Sequence, residues 1–185
     1  MRFDRIVARQ PSVLAAALGL CLIAAGPAFA DGGGGGGGSD KTTTCPRGEV
    51  YDARSNGCVK QGSEVLPDKA LTDYAYALAK EERYDEALDV LNLLKNKNTP
   101  EALNYRGYAT RKLGRVDEGI AYYRKSVALD PHYAQVREYL GEAYVIKGDL
   151  ARAKEQLRVI KTICGTGCEA YGHLAQAITD RSASW

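Results

Sequence analysis

One stretch decides the fold: GRVDEGIAYYRKSVALDP, which runs from Gly114 to Pro131. Gly114 suits the left-handed conformation that commonly follows the last residue of a helix. Asp130 and Pro131 stop the next helix, because proline cannot continue a helix interior. Between these two signals the apolar and small residues follow helical spacing. The stretch therefore predicts a helix over residues 116–129, entered from a glycine turn.

The same pattern recurs on both sides of this stretch. KEERYDEALDVL (80–91) precedes it, and IKGDLARAKEQL (146–157) follows it. Two series of small residues also recur at spacings of 32 and 34 residues. Their members are Ala75, Gly107 and Gly141 in one series, and Ala87, Gly119 and Ala153 in the other. Self-similarity at this period predicts a helical-repeat fold.

Each repeat is predicted to contain two helices. The predicted first helices are 68–80, 101–113 and 134–147, and the second helices are 84–96, 116–129 and 150–162. A stack of repeats leaves an open apolar edge on its last unit, so a cap is expected. Apolar residues at helical spacing predict that cap over residues 169–180. They are Ala170, Leu174, Ala177 and Ile178.

These residues resemble the tetratricopeptide-repeat (TPR) motif, in which small and large residues alternate at fixed positions. The matching residues are Leu71, Tyr74, Ala75, Leu78, Ala87 and Leu91; Leu103, Gly107, Gly119, Tyr123 and Pro131; and Leu140, Gly141, Tyr144, Ala153 and Leu157. The resemblance implies an all-α, right-handed solenoid of about three helix-turn-helix units with a C-terminal capping helix. Arg106 and Arg137 stand where apolar residues are usual. Gly119 replaces the usual alanine, at a cost of about 1 kcal/mol in a helix interior.

The resemblance also implies a concave groove, lined by the first helices, that receives an extended peptide or a helix of a partner protein. Helical spacing predicts its lining as Lys69, Thr72, Tyr76, Ala79, Glu101, Asn104, Tyr108, Arg111, Gln135, Glu138, Glu142 and Val145. The predicted partner-binding residues among them are Thr72, Tyr76, Asn104, Tyr108, Arg111, Glu138 and Glu142. Tyr76 and Tyr108 are amphipathic anchors of the kind favoured at interface hot spots, although both could instead pack only locally. Some family members grip a C-terminal carboxylate with Lys, Asn and Arg, but here the matching positions lack that clamp.

The first thirty residues are predicted to be a signal peptide. Positive charges open the segment, at Arg2, Arg5 and Arg9. An apolar stretch over 13–25 follows and is too short to span a bilayer comfortably. Small residues around position 30 predict cleavage between Ala30 and Asp31. We expect a periplasmic or secreted bacterial protein with no stable membrane span after cleavage. A lipoprotein signal at Cys21 and an uncleaved anchor are the alternatives.

Four cysteines remain after cleavage, and an even number in an exported chain suggests disulfides. They are Cys45, Cys58, Cys164 and Cys168. Three pairings are possible, and pairing between neighbours is favoured because each bridge closes a short loop. On the chain-entropy account these two bridges stabilise by about 3 and about 2 kcal/mol. The resulting organisation is a Gly-rich linker over 31–44, a cysteine-closed module over 45–66 with two short strands, TPR repeats over 67–168, and a cap and tail over 169–185.

Composition and motifs disfavour other functions. The formal net charge of +2 is accounted for by the first thirty residues, so the remainder is neutral and lacks the basic excess typical of nucleic-acid binding. Neither His132 nor His173 has a nucleophile at a recognisable spacing, so no catalytic residue, cofactor or small-molecule substrate is predicted. Cys164, Cys168 and His173 offer three metal ligands where a structural zinc site needs four, so no metal is predicted. The remaining alternative is a structural or self-associating envelope protein with no free binding groove.

Overall fold

A short hairpin precedes seven helices in the part of the chain that the structure describes. The computed structural model describes residues 43–62 and 66–183, except for the side chains of residues 182 and 183. Strands β1 (Glu49–Asp52) and β2 (Gly57–Lys60) pair antiparallel, with Val50 opposite Val59. The helices are α1 (Asp68–Lys80), α2 (Tyr84–Asn92), α3 (Pro100–Lys112), α4 (Val116–Leu129), α5 (Ala134–Ile146), α6 (Leu150–Cys164) and α7 (Glu169–Ala183). The predicted signal peptide, 1–30, and the linker up to residue 42 lie outside the described residues.

The helices pack as three consecutive pairs, α1–α2, α3–α4 and α5–α6. Each second helix also contacts the first helix of the following repeat. The first helices α1, α3 and α5 contact one another in turn, and α7 packs on α5 and α6 as a further first helix would. The predicted all-α helical-repeat fold with a C-terminal cap is confirmed. No helix in residues 43–62 and 66–183 has both the length and the hydropathy needed to cross a membrane.

Two glycines let α3 and α4 approach closely. A Cβ on Gly119 would lie 2.9 Å from the carbonyl oxygen of Gly107 and 3.0 Å from the Cβ of Arg111. A Cβ on Gly107 would lie 2.7 Å from the ring of Tyr123, which is fully buried. Sequence reasoning assigned Gly119 only a cost in helix propensity. The structure shows that an alanine at this position would overlap the backbone of α3.

The turn between the two helices of each repeat passes through the left-handed region. Gly114, after α3, has a φ of 85°, as the sequence predicted, and Gly148, after α5, has a φ of 76°. In the first repeat the equivalent residue is Glu82, with φ of 62°. A side chain in this conformation costs about 1–2 kcal/mol relative to the right-handed region. The first repeat therefore holds a strained residue where the other two hold glycine.

The second helix of the first repeat is shorter than predicted. It was expected over 84–96, but α2 ends at Asn92. The carboxylate of Asp68, at the start of α1, accepts hydrogen bonds from the backbone N–H groups of Lys95 and Asn96 at 3.0 and 2.8 Å. These two N–H groups are thus satisfied outside the helix, which lets the chain leave it early.

Arg106 and Arg137 have structural roles at their unusual positions. Arg106 donates to the carbonyl oxygen of Leu91 at 3.0 Å and to the side chain of Asn92 at 2.9 Å, at the C-terminal end of α2. A cation there binds carbonyls that have no partner within the helix. Arg137 donates to the carbonyl oxygen of Pro131 at 2.8 Å and to Gln156 at 3.0 Å. Both arginines therefore join neighbouring helices by hydrogen bonds instead of apolar contact.

The hairpin packs on the first repeat. Val50 is 1% exposed and shares a core with α1 and α2. The backbone N–H of Cys45 donates to the Tyr74 hydroxyl at 2.8 Å, and Arg83 donates to the Cys45 carbonyl oxygen at 2.8 Å. The structure pairs Cys45 with Cys58 and Cys164 with Cys168, which is the pairing favoured from the sequence. The second bridge links the end of α6 to the turn that enters α7.

Candidate functional site

The first helices and the cap line a cavity of about 550 Å³. The structure brings five of the predicted partner-binding residues into its wall, from all three repeats. They are Tyr76 of α1, Tyr108 and Arg111 of α3, and Glu138 and Glu142 of α5. The hairpin contributes no residue to this wall. Within residues 45–62, the described part of the N-terminal cysteine module, no residue lines this cavity.

Arg111 is part of the cavity wall and is 7% exposed. Its Nη2 donates to Glu142 Oε2 at 2.8 Å, and its Nε donates to the Tyr123 hydroxyl at 3.2 Å. Its guanidinium carbon lies 5.6 and 5.9 Å from the ring centroids of Tyr108 and Tyr139, within cation–π range. Burial by itself lowers the pKa of Arg111. The interactions with the oxygens of Tyr123 and Glu142 have the larger effect, so the pKa of Arg111 is raised overall. Arg111 is thus a fixed cation that joins α3, α4 and α5.

Tyrosine rings at and behind the cavity wall contact one another in pairs. Tyr76 stacks on Tyr105 with ring centroids 4.6 Å apart, and Tyr108 contacts Tyr139 at 5.0 Å. A further edge contact, at 6.3 Å, joins Tyr108 to Tyr84. Tyr76 and Tyr108 are both partly exposed. Each ring is held by its neighbours while part of its surface remains accessible, which is the state expected of a preorganised aromatic anchor.

The far end of the cavity is acidic. Glu138 is 6% exposed, and its Oε1 lies 2.9 Å from Nδ1 of His173 on α7. Burial raises the pKa of the Glu138 carboxyl, and the hydrogen bond with Glu138 raises the pKa of His173. Glu169 lies 3.8 Å from the other ring nitrogen of His173. This pairing ties the cap to the third repeat inside the cavity wall.

Two of the predicted partner-binding residues lie elsewhere. Thr72 is 7% exposed, and its hydroxyl donates to the Asp68 carbonyl oxygen at 2.8 Å. It borders a separate cavity of about 320 Å³ between the starts of α1 and α3. Asn104 is fully buried, and its amide nitrogen donates to the Tyr133 hydroxyl at 3.1 Å and to Gln135 at 3.3 Å. Neither side chain offers appreciable surface to a partner in this conformation.

Sequence reasoning missed several residues of the cavity wall. They are Lys80, Lys112, Ala134, Tyr139, Cys164, Cys168, Glu169, Ala170 and His173. Lys80 and Lys112 were detectable, because they are spaced by the repeat period and directly follow the groove positions Ala79 and Arg111. The wall residues on and next to α7 could not be detected from the sequence, because their contribution depends on how the cap packs against α5.

The described residues offer no metal site. Within 43–62 and 66–183, no three His, Cys, Asp or Glu side chains come close enough to hold an ion. Cys164 and Cys168 are bonded to each other, and the His173 ring is hydrogen-bonded to Glu138.

Consecutive helix pairs with a shared aromatic groove define the chain as a helical-repeat interaction module. The tetratricopeptide-repeat pattern matches residues 72–134 and 106–165, which together span just over half of the chain. The chain therefore belongs to the tetratricopeptide-repeat family. Members of this family are typically non-catalytic modules that bind other proteins.

Solved structures show the same fold. The chain superimposes on the translocator chaperone SycD of the Yersinia enterocolitica type III secretion system with a TM-score of 0.55 and 17% identity, covering 67% of this chain and 90% of that one. The first TPR domain of human RPAP3 superimposes with a TM-score of 0.52 and 20% identity, covering 64% of this chain and 97% of that one. MamA superimposes with a TM-score of 0.52 and 18% identity, covering 63% of this chain and 72% of that one. A comparison with curated proteins gives no match.

Proposed function

We propose that this protein is a non-catalytic interaction scaffold of the bacterial cell envelope, which binds a peptide segment or helix of a partner protein in its groove. The observation that carries the proposal is the convergence of Tyr76, Tyr108, Arg111, Glu138 and Glu142 on one cavity. Tyr76 and Tyr108 supply exposed aromatic surface for contact. Arg111 and Glu138 are largely buried, so they hold the wall in place and set its charge.

Envelope location is supported by two features. The pattern of residues 1–30 is typical of a secretion signal. The two disulfides of the structure are consistent with an oxidising compartment. After cleavage at Asp31, a Gly-rich segment would separate the new N-terminus from the cysteine module.

Site-specific photo-crosslinking in the native host tests this proposal. A photoreactive phenylalanine derivative replaces Tyr76 in one variant and Lys112 in another, so that both probes face the cavity. Matched probes replace Tyr122 and Lys154, which line neither of the two cavities described above. After irradiation, crosslinked species are identified by mass spectrometry. Circular dichroism confirms that each variant keeps its helicity.

The proposal expects one partner to crosslink from both groove positions and from neither matched position. Adding Tyr108→Ala to the Tyr76 probe should reduce that product, because it removes the neighbouring anchor. Equal crosslinking from all four positions would place binding outside the groove. A product at twice the mass of the chain, made only of this chain, would instead support the self-associating structural alternative.

A further inference from the structure

We propose that the α1–α3 end of the groove binds acidic side chains of the partner's peptide through two Tyr–Lys units, Tyr76 with Lys80 and Tyr108 with Lys112. The inference rests on the proposed function and names the chemistry that the groove selects. Each unit places an ammonium group beside an aromatic ring, so a peptide meets a cation and an apolar surface together.

The two units have the same geometry in successive repeats. The Nζ of Lys80 lies 5.9 Å from the Tyr76 ring centroid, and the Nζ of Lys112 lies 5.7 Å from that of Tyr108. In both units the lysine follows the tyrosine by four residues, which places the two side chains on one helix face. Both lysines are exposed and line the same cavity. The ring beneath each ammonium group favours this placement.

Both ammonium groups remain available for an anion. Among the described residues, no carboxylate forms an ion pair with Lys80 or Lys112. Other cations of the first helices are already paired: Arg111 with Glu142 at 2.8 Å, and Lys69 with Asp73 at 2.6 Å. An ammonium group has three hydrogen-bond donors, so each lysine retains the capacity to bind a carboxylate.

The opposite end of the groove sets the polarity of the bound segment. Glu138, Glu142 and Glu169 line this end, on α5 and α7. Arg111 already pairs with Glu142, and His173 is hydrogen-bonded to Glu138, so neither partner is free to bind a further carboxylate. The position in the third repeat that corresponds to Lys112 is Ile146, so the row of lysines ends at α3. Like charges facing each other across an interface disfavour binding. A segment that is acidic throughout is therefore disfavoured, and acidic residues belong only at the end that reaches α1 and α3.

The carboxylates come from side chains within the segment. The residues with which some family members hold a C-terminal carboxylate are absent here, and Thr72 and Asn104 are buried. The two lysines, in contrast, lie on different first helices, α1 and α3, so each can meet a different side chain of an extended peptide. The occupant that fits is an extended peptide with acidic residues at one end and neutral or basic residues at the other.

A peptide library tests this inference on the protein from Asp31 to Trp185. The probe is a positional-scanning library of ten-residue peptides, acetylated and amidated so that neither terminus is charged, with binding followed by fluorescence anisotropy. We expect enrichment of Asp and Glu toward one end of the peptide. Lys80→Gln/Lys112→Gln should weaken the best peptides about three- to tenfold, as expected for two exposed ion pairs. Lys80→Glu/Lys112→Glu should shift the selection toward Lys and Arg.

The matched control is Lys125→Gln/Lys154→Gln. Lys125 also lies over a tyrosine ring, 5.8 Å from the centroid of Tyr122, but on α4 and outside the groove. This variant should select and bind the same peptides as the native protein. Raising the salt concentration should weaken acidic peptides more than neutral ones, because exposed pairs are screened.

Three results would overturn the inference. They are an acidic preference that survives Lys80→Gln/Lys112→Gln, selection of neutral or basic peptides by the native protein, and no peptide binding at all. Binding only by peptides with a free C-terminal carboxylate, tested as a separate arm, would also contradict it. If groove-specific photo-crosslinking succeeds while acidic selection fails, the proposed function stands and this inference falls.

Discussion

Gly119→Ala should destabilise the protein, although alanine is the better helix former. Gly119 lies within α4, where helix propensity alone favours alanine by about 1 kcal/mol. The added Cβ would lie 2.9 Å from the carbonyl oxygen of Gly107, a backbone atom of α3. A backbone atom cannot rotate out of the way as a side chain can, so α4 would have to move away from α3.

The magnitude follows from these two opposing effects. Overpacking of a well-packed core costs typically about 1–3 kcal/mol. Subtracting the gain in helix propensity leaves a net loss of about 1 kcal/mol in the free energy of unfolding. For a domain of this size that loss lowers Tm by roughly 3–5 °C. The shift is small but within reach of thermal denaturation followed by circular dichroism.

Gly172→Ala is the matched control. Gly172 is exposed within α7, and a Cβ there would meet nothing within 4 Å. Helix propensity should act alone at this position, so the substitution should stabilise by up to about 1 kcal/mol. If Gly119→Ala raised Tm as much as Gly172→Ala, the argument from close approach of α3 and α4 would be refuted.

Three further predictions concern the turn, the buried cation and the cap. Glu82→Gly should raise the free energy of unfolding by about 0.5–1 kcal/mol in urea titrations, because relief of the left-handed strain exceeds the entropy cost of glycine; an unchanged midpoint would contradict this. Arg111→Met should lower the free energy of unfolding by about 2–3 kcal/mol, since Glu142 and the buried Tyr123 hydroxyl lose their partner. An unchanged free energy of unfolding would show that the cavity wall does not depend on this cation. The pKa of His173 is raised by Glu138, so the pair stabilises fully below pH ~6.5 and its contribution falls as pH rises through the raised pKa. Native Tm should therefore decline more between pH 6 and pH 8 than that of His173→Gln, while His132→Gln, at an exposed site, should follow the native curve.

The repeat period was the observation that predicted the fold. Small residues recur at spacings of 32 and 34 residues, and glycines mark the turns of the second and third repeats. They located the helices to within a few residues, apart from the end of α2. That end depends on Asp68, which lies 27 residues before Lys95 in sequence, so no local pattern near Lys95 could reveal it.

The groove was predictable only in part. Helical spacing places Tyr76, Tyr108 and Glu142 on the same side of successive first helices, and the structure brings them to one cavity. The same spacing places Thr72 and Asn104 there, but burial removes their surface. Side-chain exposure depends on how far neighbouring helices separate, and this distance is not encoded in the periodicity of one helix.

The sequence by itself determined the repeat architecture, the positions of the turns within each repeat, and which helix faces pack. These follow from steric and hydrophobic rules that act within about 34 residues of chain. Only the tertiary structure showed that position 119 needs glycine. It also placed Arg111 among Tyr108, Tyr123 and Tyr139, and brought His173 into the groove wall. Each of these depends on contact between side chains or backbones of different helices, and their distances are fixed only when the whole stack packs.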